Sequence, residues 1–273
     1  QSVVAKRTPV ASFDRQAFHK TKGFTLSWGR ITEAIVTGGN SGIGMETAAR
    51  LLRSDVKVLV LDKHSEDARA RFSSDLEAER LAVTEVDISD YEAVKAAVDP
   101  WAKSVGGVSA LVNSAGIVLT SPFLEETPAE WNRVISVNLT GIYNTCSAVA
   151  PYMVAARSGA IVNISSISGL KESVFSSSAY CASKAGIIGF SRCLASQLAT
   201  HRIRVNCVAP CTTDTPMIDA VSQDVKDAYR DSVPLGRLAT VEDIAAAILY
   251  LLSEDASLIT GETINVNGGL YMP

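Results

Sequence analysis

Tyr180 and Lys184, four residues apart, are the side chains of this sequence best suited to acid–base chemistry. In a helix, this spacing puts both side chains on one face. A free phenol titrates near about 10 and a neighbouring ammonium favours the phenolate, so we expect Lys184 to lower the pKa of Tyr180. The hydroxyl of Ser166, one loop upstream, is expected to hydrogen-bond a substrate oxygen at the same point. The stretch predicts proton exchange with a bound alcohol or ketone, although such pairs also occur on solvated helix faces.

The elements that would position these side chains alternate between strands and helices. Candidate strands cover residues 34–37, 56–61, 81–86, 110–113, 160–164, 204–208 and 263–266. Candidate helices lie between them and include residues 65–76, 128–137, 138–156, a segment from the tyrosine to about 200, and 241–252. This alternation predicts the α/β class, with one Rossmann-type, doubly wound domain and a seven-stranded parallel sheet covered by helices on both faces.

Helix and strand boundaries also carry sequence signals. Ser89–Glu92 and Thr127–Glu130 each have the capping-box pattern, and the second has a proline at the first helical position. Thr240 is expected to cap the last long helix, and Pro210 to end the sixth strand.

Composition excludes several classes of protein. The 273 residues carry a net charge of −4, which gives no basic footprint for nucleic acid, and the longest apolar segments are too short to span a membrane. Five cysteines without a CxxC motif argue against a disulfide framework and are typical of a reducing compartment. The three histidines are isolated, so no metal site is predicted. We therefore expect a cytoplasmic location.

Charge divides the chain into two regions. Residues 1–30 carry six basic side chains and one acid, a net +5, while the remainder carries 19 basic and 28 acidic side chains, a net −9. The basic N-terminal extension is expected to be a surface extension, with an organelle-targeting segment as the alternative. Residues 31–273 are expected to form the oxidoreductase domain, with a lid over the site around 211–237.

A glycine-rich turn follows the first candidate strand. Its spacing, Gly38-x-x-x-Gly42-x-Gly44, departs from G-x-G-x-x-G, but a strand, a glycine turn and a helix N-terminus are still suited to a pyrophosphate. Asp62 closes the second strand, where a carboxylate accepts ribose hydroxyls and repels a 2′-phosphate. We therefore expect NAD rather than NADP. Lys63 next door leaves NADP as the alternative, and Asp62 as a simple turn cap is a third possibility.

These motifs, together with others downstream, resemble those of the short-chain dehydrogenase/reductase superfamily over residues 31–269. The matching segments are Thr37–Gly44, Asp87-Ile88, Asn113-Ser114-Ala115-Gly116, Val137-Asn138-Leu139, Ile164-Ser165-Ser166, Tyr180-x-x-x-Lys184, and Pro210 with Thr215. Two positions depart from the family pattern. Ser114 replaces an asparagine, and Cys211 replaces a glycine after the proline, which puts the geometry of that turn in question.

The resemblance implies a role for each matched residue. Tyr180 would be the general acid/base, and Lys184 would lower its pKa and bind the nicotinamide ribose. Ser166 would bind the reacting oxygen, with Ser165 as the alternative, and Asn138 would hold a water that links Lys184 to solvent. Cofactor contacts are expected from Gly38, Asn40, Ser41, Gly42, Ile43, Gly44, Asp62, Asp87, Ile88, Asn113, Ala115, Gly116, Tyr180, Lys184, Pro210, Thr213 and Thr215. Substrate contacts are expected from Ser166, Ser168 and Tyr180, with Ser173, Val174, Phe175 and Met217 nearby.

Three functions remain open from the sequence. The first is NAD-dependent oxidation of a small polyol, sugar or hydroxy acid, which the hydroxyl-rich substrate segment favours. The second is NADPH-dependent reduction of 3-oxoacyl groups on an acyl carrier, or of another ketone. The third is a non-catalytic relative that only binds nucleotide. By the same resemblance, the long helices are expected to form a homotetramer or homodimer.

Overall fold

A computed structural model of the protein describes residues 31–173, 176–215 and 222–273, and its centre is a parallel sheet. The strands are β1 (Glu33–Thr37), β2 (Lys57–Asp62), β3 (Leu81–Glu85), β4 (Ala110–Asn113), β5 (Gly159–Ile164), β6 (Ile203–Pro210) and β7 (Thr263–Val266). Their order is β3-β2-β1-β4-β5-β6-β7, and every neighbouring pair is parallel. The predicted seven-stranded, doubly wound fold is confirmed.

Helices cover both faces of this sheet. They are α1 (Gly42–Arg53), α2 (Glu66–Arg71), α3 (Ser73–Glu77), α4 (Tyr91–Val105), α5 (Pro128–Ile135), α6 (Gly141–Ala156), α7 (Ser178–Leu198), α8 (Gln223–Ser232) and α9 (Val241–Leu252). Alternate residues of β1 enter separate cores. Ala34 and Val36 pack in the cluster that contains α1 and α9, and Ile35 packs in the cluster that contains α4, α6 and α7. This two-sided burial explains the unbroken apolar strands. In the described part of the chain, no helix is both long and apolar enough to cross a membrane.

Several predicted boundaries were wrong. The expected helix over 65–76 is two short helices that meet at the buried Phe72. The cap of α4 is Asp90, whose side chain accepts from Ala93 N, because the Ser89 hydroxyl instead donates to Asp87. The predicted capping box at the start of α5 is confirmed. Thr240 caps α9 as predicted, and it does so as part of a second capping box. Strand β6 extends to Pro210, two residues beyond its predicted span.

The sequence predicts two separate helices, over residues 128–137 and 138–156, but the structure has no break between them. A π-helical turn, Ser136–Thr140, joins α5 directly to α6. Such turns insert one extra residue into a helix and reorient the side chains around it, often at a functional site. Here, the turn carries the buried side chain of Asn138.

Strand order reverses between β1 and β4, which pair side by side with Thr37 opposite Asn113. After β1 the chain adds β2 and β3 on one side of this point, and after β4 it adds β5, β6 and β7 on the other side. In open α/β sheets, ligands bind in the crevice at the carboxyl ends of the strands at this reversal. The glycine turn after β1 and the loop after β4 both begin there.

Candidate active site

A cavity of about 1170 Å³ opens at this crevice. It is larger than a typical small-molecule pocket of roughly 300–1,000 Å³, so it has room for a dinucleotide together with a substrate. The predicted site residues that line it are Gly38, Ser41, Gly42, Ile43, Asp62, Asp87, Ile88, Ala115, Gly116, Ser166, Ser168, Tyr180, Lys184, Pro210, Thr213 and Thr215. The cleft therefore brings together residues from both halves of the sheet.

The glycine turn forms one end of the cleft, and its backbone requires glycine at particular positions. Gly38 and Gly42 have φ values of +70° and +51°, in the left-handed region that L side chains rarely adopt. A Cβ atom on Gly44 would lie 2.1 Å from the Gly38 carbonyl oxygen. The cap residue Ser41 makes no side-chain hydrogen bond to the first N–H groups of α1. The helix N-terminus is thus free to receive an anion.

Asp62 lies beside this turn at the end of β2. Its carboxylate accepts from the backbone N–H groups of Asn40, at 3.0 Å, and His64, at 3.2 Å. These bonds hold the carboxylate at the cleft wall and leave further acceptor capacity for ribose hydroxyls. The side chain of Asn40 has a different task, because its Oδ1 accepts from Ala68 N at 2.8 Å and thereby ties the turn to α2.

Asp87 and Lys63 form an ion pair at the outer edge of the cleft, with Nζ and Oδ2 3.3 Å apart. The Ser89 hydroxyl donates to the other Asp87 oxygen at 2.7 Å. The Ser89 hydroxyl and N–H, with Lys63, hold the pKa of Asp87 below its ordinary value. Lys63, the cation expected to attract a 2′-phosphate, is therefore already paired with a carboxylate.

Four predicted site residues lie behind the cleft wall rather than in it: Asn40, Gly44, Asn113 and Asn138. Asn113 is fully buried; it donates to Asn163 Oδ1 at 2.8 Å and accepts from the Thr145 hydroxyl at 2.7 Å. The Asn113 amide thus joins β4 to β5 and α6, and the predicted contact of this residue with the cofactor stays a prediction. Sequence alone could not separate these two roles.

Asn138 fastens the loop after β4 to α7. Its Oδ1 accepts from Ile117 N at 2.8 Å, and its Nδ2 donates to Ile117 O at 2.9 Å and to the Ser183 hydroxyl at 3.2 Å. A Cβ atom on Gly116 would lie 3.2 Å from Asn138 Oδ1 and 3.6 Å from Lys184 Nζ. The Asn138 side chain therefore acts as a brace next to Lys184, and its predicted water-binding role stays a prediction.

The prediction that Lys184 lowers the pKa of Tyr180 was wrong. Burial raises the pKa of Tyr180 to about 12, although a hydrogen bond with Ser166 partly opposes that shift. Lys184 Nζ lies 5.5 Å from the centre of the tyrosine ring and donates to Ile164 O at 2.9 Å. Burial lowers the pKa of Lys184 to about 8. The ammonium lies over the ring face, and the phenol keeps its proton at neutral pH.

The structure favours Ser166 over Ser165 as the hydroxyl for the reacting oxygen. Ser165 donates to the Lys184 carbonyl at 2.8 Å and so anchors α7 to the end of β5. Ser166 accepts from Ser168 N at 3.1 Å and is the residue that interacts with Tyr180. The two predicted catalytic hydroxyls, Ser166 and Tyr180, therefore lie together in the cleft.

The far wall of the cleft follows β6. Cys211 has no left-handed φ, so this turn forms without the glycine usual in the family, and burial raises the pKa of the thiol. A Cβ atom on Gly42 would lie 3.3 Å from Thr215 Cγ2, so the two ends of the cleft approach each other there. In the predicted lid, Tyr229 of α8 lines the cleft. Val174, Phe175 and Met217, which were predicted to lie near the substrate, are outside the described residues. The basic N-terminal extension is outside them too.

Sequence reasoning missed residues that shape the cleft without facing it. The hydroxyl of Thr37 accepts from the N–H groups of both Ser114 and Ala115 at 3.2 Å, which joins the glycine turn to the loop after β4. Asn144 donates to the carbonyl of Ile88 at 2.9 Å. The place of Thr37 at the end of β1 was a usable signal, whereas Asn144 is a helix residue with no local mark.

Comparisons with known proteins agree with this site. A sequence profile of a family described as Enoyl-(Acyl carrier protein) reductase matches residues 38–271. A 3-oxoacyl-[acyl-carrier-protein] reductase of Chlamydia muridarum is 41% identical over 239 residues, 87% of this chain and 96% of that protein. An acetoacetyl-CoA reductase of an Acinetobacter species is 40% identical over 244 residues, 88% of this chain and 97% of that protein.

A solved structure extends this likeness to the fold. The crystal structure of a 3-oxoacyl-[acyl-carrier protein] reductase from Brucella melitensis, with bound NAD, has a TM-score of 0.82 and 33% identity, covering 100% of this chain and 99% of that one. The fold and the site define an oxidoreductase that acts on CH–OH or ketone groups. The chain belongs to the short-chain dehydrogenase/reductase superfamily.

Proposed function

We propose that this protein reduces the ketone of a 3-oxoacyl thioester to the corresponding alcohol, with a nicotinamide dinucleotide as the hydride donor. The observation that carries the proposal is the full-length similarity to proteins named as reductases of 3-oxoacyl-carrier and acetoacetyl-CoA substrates. These relatives support the reductase interpretation better than the polyol or sugar dehydrogenase expected from the sequence.

The protonation state of Tyr180 is compatible with proton donation during ketone reduction. With a pKa raised to about 12 by burial, the phenol carries a proton at neutral pH and can donate it to a developing alkoxide. Ser166, beside it, donates a hydrogen bond to the same substrate oxygen. Lys184, which donates to Ile164 O, places a positive charge over the face of the Tyr180 ring and can donate hydrogen bonds to a ribose. These residues provide proton transfer and position.

The residues of the cleft suit a nicotinamide dinucleotide. The glycine turn is so tight that a Cβ at Gly44 would lie 2.1 Å from the Gly38 carbonyl oxygen, and the uncapped start of α1 behind this turn suits a pyrophosphate. Asp62 would accept the adenosine ribose hydroxyls. When bound, the cofactor supplies the hydride, and the protein contributes orientation and the proton. NAD(H) is our proposal, because Asp62 stands at the wall and Lys63 is paired with Asp87.

Steady-state kinetics test this function. Acetoacetyl-CoA reduction by the purified protein would be followed with NADH and with NADPH, against oxidation of polyols, sugars and hydroxy acids with NAD. We expect kcat/KM for acetoacetyl-CoA to exceed that of any tested alcohol by more than about tenfold. Turnover confined to the alcohols would reject the thioester substrate.

NAD-dependent oxidation of a polyol, sugar or hydroxy acid is the second candidate. Asp62 favours it, because a carboxylate at this position disfavours the 2′-phosphate of NADPH. The hydroxyls of Ser168, Ser173 and Ser176, which line the cleft, also suit a polar substrate. The same assay panel separates the two candidates.

We further propose a homotetramer, with a four-helix interface that includes α6 and α7. Tyr143 of α6 is exposed and packs edge-on against Phe190 of α7, with ring centres 6.4 Å apart. Gly189, at mid-helix in α7, is exposed, and no atom lies within 4 Å of a Cβ added there. Helix glycines cost roughly 0.5–1 kcal/mol, which close approach of a partner helix would explain. Sedimentation should show a tetramer at micromolar concentration, and a monomer would contradict it.

A further inference from the structure

The helix that carries Tyr180 and Lys184 is tied to the loop between β4 and α5. Ser177 N donates to Leu119 O at 2.8 Å. Ala179 N donates to Glu126 Oε1 at 3.1 Å, and the hydroxyl of Ser178 donates to Glu126 Oε2. The same loop, between β4 and α5, lines the cleft with residues from Ser114 to Thr120. One carboxylate therefore joins a cleft wall to the first turn of the catalytic helix.

We propose that Glu126 is a positioning residue for the reaction, acting through the first turn of α7 on Tyr180. Its two hydrogen-bond donors, Ser178 and Ala179, directly precede the tyrosine. The first N–H groups of a helix have no partner within the helix, and a negative charge there also interacts favourably with the helix dipole. Glu126 thereby fixes the place and rotation of the turn from which the Tyr180 side chain projects.

The start of α7 is also capped by Ser177, whose side chain interacts with Glu126 as well. The Ser177 hydroxyl accepts from Tyr180 N at 3.3 Å. With Ala179 N bound to Glu126, consecutive N–H groups are satisfied from two sides. Burial alone would raise the pKa of Glu126, but hydrogen bonds from Ser178 and Ala179 outweigh it and keep the pKa below its ordinary value. The carboxylate is thus charged at neutral pH and makes charge-assisted hydrogen bonds, which are stronger than neutral ones.

Glu130 provides a matched control only four residues away. It also caps a helix with its carboxylate, since it accepts from the N–H and hydroxyl of Thr127, both at 2.8 Å. Its other oxygen accepts from Ser121 at 3.4 Å. Loss of either carboxylate removes hydrogen bonds to the start of a helix, so the two losses should cost similar stability. These hydrogen bonds connect Glu130 to the start of α5, whereas those of Glu126 lead to Tyr180.

Kinetics of three variants test the proposal. Glu126→Leu removes the acceptor at similar length, Glu126→Gln keeps one acceptor oxygen, and Glu130→Leu is the control. We expect Glu126→Leu to lower kcat for acetoacetyl-CoA reduction by roughly 10- to 100-fold with little change in the KM for the cofactor, because misplacement of a catalytic group by about 1 Å has effects of this size. Glu126→Gln should recover most of kcat, and Glu130→Leu should retain it at comparable thermal stability. Equal losses in Glu126→Leu and Glu130→Leu would overturn the proposal.

Amide hydrogen exchange gives a test that does not depend on turnover. The kinetic assay rests on the proposed thioester reduction, and failure of the wild-type protein to reduce acetoacetyl-CoA rejects that function alone. Amide exchange at Ala179 and Tyr180 then tests whether Glu126 positions the first turn of α7. We expect faster exchange there in Glu126→Leu, but not in Glu130→Leu, and unchanged exchange in Glu126→Leu would overturn the proposal.

Discussion

The cofactor half and the substrate half of the cleft are built in different ways. The cofactor half is built from backbone, which is held by the left-handed φ of Gly38 and Gly42 and by hydrogen bonds from two N–H groups of the loop after β4 to the Thr37 hydroxyl. The substrate half is lined by hydroxyls on irregular chain, where Ser168 and Ser173 approach Ser176 at 3.5 and 3.2 Å. Backbone geometry restricts residue type, whereas a hydroxyl lining can be replaced without changing the fold.

This difference explains why the class of reaction is much better determined than the substrate. A strand-turn-helix with obligatory glycines binds a dinucleotide through features that any member of the superfamily requires. A substrate pocket formed by loop side chains indicates only the general chemical character of its substrate, which here is polar and of moderate size. Substitutions at the catalytic residues and in the cofactor half should therefore have larger effects than substitutions in the substrate half.

Tyr180→Phe should have the largest effect on turnover. The variant lacks the proton donor, and general acid catalysis contributes roughly 10²- to 10⁴-fold, so kcat should fall by that factor. The affinity for NADH should stay within about threefold, because the ring and its packing remain. Stopped assays of kcat and fluorescence titration of NADH check both parts. Retention of most of the activity would show that Tyr180 is not the acid.

Gly44→Ala should weaken the cofactor half selectively. The added methyl would lie 2.1 Å from the Gly38 carbonyl, so the turn has to shift, at a cost typical of overpacking, about 1–3 kcal/mol. We expect NADH affinity to fall by about tenfold or more for a shift of this energy. Gly189→Ala, whose added methyl would meet no atom of the protomer within 4 Å, is the control: any effect should fall on the oligomeric state, and NADH binding should stay normal. Normal NADH binding by Gly44→Ala would mean that the turn tolerates a side chain.

The pH profile should report Lys184. Burial lowers its pKa to about 8, so the ammonium form is present below that pH and is lost above it. Because kcat/KM reports groups of the free enzyme, kcat/KM for ketone reduction should fall by about tenfold per unit above the Lys184 pKa. Tyr180 keeps its proton through this range, since its pKa is about 12. A profile that stays flat to about pH 10 would contradict the role of Lys184 as a required cation.

Sequence predicted the sheet, the meeting of Ser166, Tyr180 and Lys184 in one cleft, and most of the cleft lining, because these depend on local patterns and on motif spacing. It did not predict which polar residues are buried. Asn113 reads as a cleft residue but joins three elements inside the fold, because its partners are at positions 145 and 163. The direction of the Tyr180 pKa shift was wrong for the same reason, since burial depends on tertiary packing that i to i+4 spacing does not show.

The cofactor choice is the most direct test of this account, and fluorescence titration of NADH and NADPH on the same preparation measures it. With Asp62 at the ribose position and Lys63 paired to Asp87, NADH should bind more tightly by about tenfold or more. Asp62→Ala should bring the two affinities within about threefold of each other, because the repulsion of the 2′-phosphate is removed. Tighter binding of NADPH by the wild-type protein would contradict the account and would assign the 2′-phosphate to Lys63.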